Sequence, residues 1–359
     1  MGQGFESLRR HQLRISSTRS RRRKTFLDLP ERLSSLWRRT GLFSEADRVV
    51  VGISGGCDSV FLFHCLEKLR KKRRLTLTAA HYNHCTRGEE SEEDERFVTS
   101  LCKKMNVPLV AGRWEHSGNG RVSEEKARDA RYQFFEKVCR SVGANKLALA
   151  HTFDDDAETI LFRLLRGSGL QGLRGIPYER ELGPYRVIRP LKEIAREEIR
   201  DYLQRKGISW REDSSNQDRS YRRNRIRHEL LPLLAKEFNP NIKEILVHLG
   251  RNLSEDYEYL RKEAESAFEE VLLTAKQDEV VLRRKVFLKC PIAIQKHLFR
   301  TALQRLGVGM DKVGYSEWKS VAEILERKNF RTSLPGSLHL RGTPTKLVFG
   351  SSLALGKKI

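Results

Sequence analysis

Two stretches of the chain carry residue types at spacings that suit chemistry. The first is Ser54-Gly55-Gly56-Cys57-Asp58-Ser59, which follows the β-branched run Val49 to Ile53 and precedes Val60 to Leu66, a helix-like segment. Strand, glycine turn and helix together make an anion seat: glycines let backbone N–H groups close on a phosphate, and the helix start adds roughly half a positive charge. Ser54 and Ser59 add hydroxyl donors. Asp58 should repel a polyphosphate, and a bridging divalent metal such as magnesium gives it a reason to be there. The second stretch is His151-Thr152-Phe153-Asp154-Asp155-Asp156-Ala157-Glu158-Thr159. On a helix starting here, Asp155 and Glu158 are i, i+3 and Asp154 and Glu158 are i, i+4, so their carboxylates share one face. Such a cluster suits magnesium or a cationic amino-acid substrate, and acids at a helix N-terminus also answer the helix dipole.

The elements that must position these residues follow from periodicity. From about 29 to 215 strands alternate with helices, which predicts a doubly wound, mostly parallel α/β sheet with ligands at the carboxyl ends of its strands. Val49 to Ile53, Leu75 to Ala80, Val107 to Ala111 and Lys146 to Ala150 read as strands, so Ser54 and His151 both fall just past strand ends. Helices are expected from Ser91, with Asp94 in the capping-box place, and from Ser123 to about Gly143. From about 220 helical periodicity takes over, in Arg222 to Lys236, Ser254 to Leu273, Pro291 to Leu306 and Ser316 to Lys328, predicting a smaller helical domain. The segments Thr332 to Leu340 and Lys346 to Phe349 read as a β appendage. The expected divisions are 1–28, 29–220, 221–329 and 330–359.

Other phosphate motifs fail on spacing. No G-x-x-x-x-G-K-[ST] occurs, and Gly167, Gly169 and Gly172, although spaced as G-x-G-x-x-G, follow a helix end rather than a strand.

The chain has 359 residues and carries Lys+Arg 69 against Asp+Glu 47, a formal charge of +22. Basic runs recur at Lys68 to Arg74, Arg219 to Arg227 and Lys357-Lys358, so a polyanionic partner such as nucleic acid is the economical explanation. Arg222, Arg223, Arg225 and Arg227 stand densest, with Tyr221 beside them as a stacking face, and suit phosphate contacts. The six cysteines form no C-x-x-C pair and read as reduced thiols of a cytoplasmic protein. No apolar run approaches the length of a membrane span. Residues 1 to 28, rich in arginine, fit an RNA-contacting arm, an organelle transit peptide or translation from an upstream start.

The loop Ser54 to Ser59 matches S-G-G-x-D-S and resembles the pyrophosphate loop of the N-type ATP pyrophosphatase (PP-loop) superfamily, whose adenine nucleotide alpha hydrolase-like fold the resemblance implies. His151 to Thr159, followed by Leu164 to Leu170, resembles the tRNA(Ile)-lysidine synthase family. So do His81-Tyr82-Asn83-His84 with Arg87, Glu125 to Phe134, Glu212 to Asn216 and Arg223 to Pro232. The likeness covers about residues 40 to 235 closely. It implies ATP- and magnesium-dependent attachment of L-lysine to C2 of the wobble cytidine of the CAU-anticodon tRNA(Ile), through an adenylated base. Ser54, Gly55, Gly56, Cys57, Asp58 and Ser59 would bind ATP, with Asp58 on the metal. Asp155, Glu158 and Arg131 would grip lysine, with His151 nearby as a further catalytic residue. Histidines 81 and 84 fit either site or packing roles. A tRNA thiolase of the same superfamily is the alternative, and oligomeric state, a dimer included, stays open. The chain departs from the family in carrying Asp156 where Gln is common, which bears on hydrogen bonding at the lysine site. It also ends without the large C-terminal domain of longer members.

Overall fold

A computed structural model describes residues 28–85, 88–114, 124–212, 222–309 and 313–351. Arg87, Ser123, Tyr221, the segment 213–216 and almost all of the basic arm lie outside them. The chain forms two compact units, residues up to 152 with 178–212, and 153–177 with the residues that follow 212. Of the expected divisions, the boundary at 220 differs from this grouping, in which the acid-bearing helix goes with the C-terminal part of the chain.

In the first unit the order is α1 (Leu29–Thr40), β1 (Arg48–Gly52), α2 (Cys57–Arg73), β2 (Thr76–Asn83), α3 (Glu89–Lys104), β3 (Leu109–Arg113), α4 (Glu124–Ser141) and β4 (Lys146–Ala148). After the excursion through residues 153–177 come β5 (Glu179–Leu182), β6 (Tyr185–Ile188) and, completing the unit, a helix over Arg196–Arg205. The six strands lie in the order β3-β2-β1-β4-β6-β5, parallel except for the β5–β6 hairpin. Val49, Val50 and Val51 of β1 are buried, as a strand covered on both faces requires. The chain winds from β1 out to β3 and returns on the other side at β4, so the order reverses between β1 and β4, where such sheets bind ligands. Ser54 and His151 lie just past the carboxyl ends of these two neighbouring strands.

At the opposite end of β1, Asp47 is 5% exposed and accepts hydrogen bonds from the Ser44 amide (2.6 Å), Asn145 Nδ2 (2.8 Å) and Lys146 Nζ (2.8 Å). Burial alone would raise its pKa, but the bonds from Lys146, Asn145 and Ser44 and the Lys146 charge outweigh it and hold the carboxyl below its ordinary value. A lowered native pKa contributes stability that is complete above the unfolded carboxylate pKa, about 3.9, and is lost as pH falls through and below it. Asp47→Asn is therefore expected to cost about 3 kcal/mol at neutral pH, read as a lower urea midpoint. The gap from wild type should narrow in acid; a gap constant down to acid pH contradicts this account.

The second unit begins with α5 (Phe153–Leu165) and the short α6 (Leu170–Leu173), and the helix named above in the first unit is α7. It continues with α8 (Arg222–Arg225), a π turn (Ile226–Leu230), α9 (Leu231–Glu237) and the long α10 (Ile242–Val271). Beyond these come β7 (Leu272–Ala275), β8 (Glu279–Arg283), α11 (Arg284–Lys289), α12 (Ile292–Arg305), α13 (Tyr315–Ala322), β9 (Phe330–Leu334), β10 (Leu338–Gly342) and β11 (Lys346–Ser351). The expected helices are present, but the β appendage is a five-stranded antiparallel sheet, β7-β8-β11-β10-β9. Phe268, Val280, Leu282, Phe287, Leu298, Phe299, Leu340 and Phe349 fill its core. Arg284, 4% exposed, donates to the carbonyls of Leu325, Arg327, Lys328 and Thr343 at 2.5 to 2.8 Å, which satisfies a corner that no ladder reaches.

Smaller corrections concern boundaries. α2 opens at Cys57 rather than Val60, so the loop residues Cys57, Asp58 and Ser59 form its first turn. α3 opens at Glu89 behind Gly88, which leaves Ser91 and Asp94 buried inside the helix and not at its cap. Gly167 and Gly169 lie in the turn from α5 to α6 and Gly172 lies within α6, a helix-to-helix connection. Among the described residues no helix is long and apolar enough to cross a membrane.

Candidate nucleotide and substrate sites

In the first unit the loop is organised around its two serines. Ser59 Oγ donates to the Gly56 carbonyl (2.9 Å), accepts from the Ser54 amide (3.2 Å) and pairs with Ser54 Oγ (3.2 Å). Gly55 has φ +93, a conformation that disfavours any side chain. Three partners fix the loop from outside. His81, 4% exposed on β2, holds the Ile53 carbonyl with Nδ1 at 2.9 Å. The Arg211 amide donates to the Gly55 carbonyl at 2.9 Å, and the Arg211 guanidinium reaches Glu93 (2.6 Å) and Asp94 (3.1 Å) on α3. Arg196, the first residue of α7, puts Nε 2.9 Å from Asp58 Oδ2. His81 is thus a buttress behind the loop, whereas His84 sits edge-on to Tyr82 and Trp114.

Cys57 is buried within the loop, and its thiol lies 3.3 Å from Asp58 Oδ1. Burial, then the Asp58 charge and hydrogen bond, push the thiol up to about 12. Asp58 is a lone carboxylate, and among the described residues no group of three acids, histidines or cysteines makes a protein-only metal cage. One carboxylate beside a phosphate seat fits magnesium, which usually takes one or two carboxylates and completes its shell from substrate phosphates and water. Arg131, on α4, and His151 also belong to this unit.

In the second unit the acids of α5 separate by direction. Glu158, 1% exposed, receives Arg227 in a bidentate pair, Nε to Oε1 at 2.6 Å and Nη2 to Oε2 at 2.8 Å. Arg223 Nε reaches Glu158 Oε2 at 3.3 Å, and Asp155 Oδ1 accepts from Arg227 Nη2 at 3.3 Å and lies 3.6 Å from Arg223 Nη2. Asp155 and Glu158 therefore act on the same cations. Asp154 does not join them: it pairs with Lys243 on α10 at 2.6 Å, which corrects the expected convergence with Glu158. At about 100° per residue Asp154 and Asp155 flank Glu158 on opposite sides of the shared face, so the two can take different cations. Asp156, 1% exposed, accepts the Ile176 amide at 2.6 Å. At Gly175 (φ +73) a Cβ would stand 2.2 Å from Asp156 Oδ1. Asp156 thus ties α5 to the Gly175–Ile176 segment.

The four arginines also divide. Arg223 and Arg227, i and i+4, face the acids, while Arg222 and Arg225 point outward, with Arg225 3.3 Å from Glu229. The four arginines expected to contact phosphates thus form an exposed pair and a pair that meets the acids.

A PP-loop domain family model matches residues 28–234. The chain is 34% identical over 269 residues to the tRNA(Ile)-lysidine synthase of Clostridioides difficile, covering 74% of this chain and 58% of that protein. It is 38% identical over 297 residues to that of Solibacter usitatus (82% and 66% covered) and 34% identical over 320 residues to that of Geobacter sulfurreducens (88% and 67%). The chain belongs to the tRNA(Ile)-lysidine synthase family of PP-loop proteins. It spans less than two thirds of the length of the first of these curated relatives. The U34-tRNA thiolase NcsA of Methanococcus maripaludis shares the fold, with a TM-score of 0.51 at 17% identity over 62% of this chain and 78% of that one. The Ser54 to Ser59 turn lies within the matched residues, just past β1, beside the point where the strand order reverses. Arg196 and Arg211 escaped the sequence reading, because arginines in a basic chain carry no spacing signal, whereas His81, left open there between site and packing roles, holds the Ile53 carbonyl.

Proposed function

We propose that the protein ligates L-lysine to C2 of the wobble cytidine, position 34, of the CAU-anticodon tRNA(Ile), consuming ATP and giving AMP and pyrophosphate. The observation that carries this reading is the Asp155–Glu158 pair, which already holds a guanidinium at 2.6 to 3.3 Å, the reach that an ε-ammonium needs.

The cytosine C2 carbonyl is a poor electrophile, so its oxygen must first become a leaving group. O2 attacks the α-phosphorus of ATP, the bond from that phosphorus to the α,β-bridging oxygen breaks, and pyrophosphate leaves with the electron pair. The Ser54 to Ser59 loop supplies backbone and hydroxyl donors to the phosphates, and magnesium on Asp58 supplies charge neutralisation there. The lysine amine then attacks C2, the C2–O2 bond breaks, and AMP departs with the oxygen. With a free pKa near 10.4, the amine must shed a proton before or during attack, so it needs carboxylates to hold it, the role we give to Asp155 and Glu158, and a base, the role we give to His151, while Arg131, a permanent cation, suits the lysine carboxylate. Arg222 and Arg225, turned outward, suit the RNA backbone.

The thiolase reading draws no such support. The thiols of Cys57, Cys102 and Cys139 are pushed up by burial to about 12, 11 and 12, far from nucleophilic thiolates. Incubation with ATP, magnesium, radiolabelled lysine and the CAU-anticodon tRNA(Ile) should move label to RNA, with AMP formed in equal amount. Label arriving from a sulfur donor and not from lysine would replace this reading.

A further inference from the structure

We infer that Arg196 and Arg200, one turn apart on α7, are the cationic seat for the β- and γ-phosphates, and so for the departing pyrophosphate, with Arg196 passing from Asp58 to phosphate when nucleotide and metal arrive. This rests on the PP-loop reading of residues 54–59 and deepens it.

Arg196 is aimed at the loop: its Nε bonds Asp58 at 2.9 Å. Arg200 lies at i+4, one turn further along the same helix face, with Nη2 4.0 Å from Glu212 Oε1. A cation at the first position of a helix opposes the helix dipole, so Arg196 stands where a structural arginine is disfavoured. The Arg196 and Asp58 side chains are 20% and 17% exposed, open enough for an incoming anion to compete.

The charges require such a group. Asp58 and a polyphosphate at about 4 Å repel by about 4 kcal/mol per charge pair at the effective dielectric of a protein surface. Asp58 therefore needs a cation both before and after ATP binds. Arg196 fills that need in the nucleotide-free molecule. Once magnesium takes the Asp58 oxygen, Arg196 is left beside the phosphates. A guanidinium carries five N–H donors in a rigid fork, which matches phosphate oxygens and holds the anion as the bond at the α-phosphorus breaks.

Equilibrium dialysis of the full chain with labelled inorganic pyrophosphate, and in parallel with labelled AMP, tests this, each with and without magnesium. Arg196→Ala is expected to weaken pyrophosphate binding about tenfold to hundredfold while AMP, which lacks the β- and γ-phosphates, binds as to wild type. Arg196→Lys should recover part of the loss, and Arg200→Ala should show a smaller loss of the same selectivity. Unchanged pyrophosphate binding in Arg196→Ala overturns the inference. So does an equal loss for AMP and pyrophosphate, which would mean that Arg196 only holds the loop in shape. If the wild-type chain binds neither ATP nor pyrophosphate, the PP-loop reading itself falls, a result distinct from a wild type that binds and a variant that binds equally.

Discussion

Asp58→Ala is expected to slow pyrophosphate release by about a hundredfold to a thousandfold, the range seen when one preorganised electrostatic group is removed from a reacting centre. Two effects combine in this variant. The metal loses its carboxylate, and Arg196 loses the partner that holds it 2.9 Å away in the nucleotide-free molecule. Asp58→Asn keeps the shape and removes only the charge, so it separates them: the amide still accepts from Arg196 but binds magnesium poorly. We expect Asp58→Asn to be nearly as inactive as Asp58→Ala and to need more magnesium for what activity remains. Single-turnover measurement of pyrophosphate release from ATP and the tRNA is the deciding assay. Full activity in either variant would remove the loop from the reaction.

On the proposed function, Glu158→Gln is expected to raise the KM for lysine by about tenfold to hundredfold and to leave the KM for ATP within about twofold, since the interaction lost would be a charge-assisted one to the amino-acid cation. The substitution is isosteric, so the fold of α5 is kept, but the charge that anchors Arg227 and Arg223 is gone. Asp155 still faces both arginines, so the basic segment keeps part of its tether. An unchanged KM for lysine, together with weakened tRNA binding, would mean that Glu158 serves to position the basic segment and does not bind the amino acid. Steady-state kinetics with lysine and ATP varied separately distinguishes the outcomes.

Much of this was legible in the sequence because it rests on local pattern. The Val49 to Val51 run, the paired glycines and the helix after them read as strand, turn and helix, and they are β1, the loop and α2. The alternation after them gave the parallel sheet, and with it the strand ends that carry Ser54 and His151. Partners supplied by distant chain were not legible. Nothing near Arg196 in sequence marks Asp58, 138 residues away, as its target. Arg223 and Arg227 looked like Arg222 and Arg225, because a run of one charge does not say which members face inward until a buried acid is set beside them. The strand Glu279–Arg283 was missed for a similar reason. Five residues with Val280, Val281 and Leu282 in a row fit a helix end or a strand, and pairing with β11 and β7 decides between them.

The thiol of Cys57 has a consequence for how the protein fares under oxidants. Peroxides and alkylating reagents attack sulfur chiefly as the anion, and at neutral pH a thiol with a pKa of about 12 is ionised in only about one molecule in 10⁵. A nucleotide loop that places sulfur beside the carboxylate most needed for phosphate chemistry is thereby kept from redox control. Cys57 should therefore stay unmodified by alkylating reagents at neutral pH, under conditions in which the exposed Cys85 is open to them.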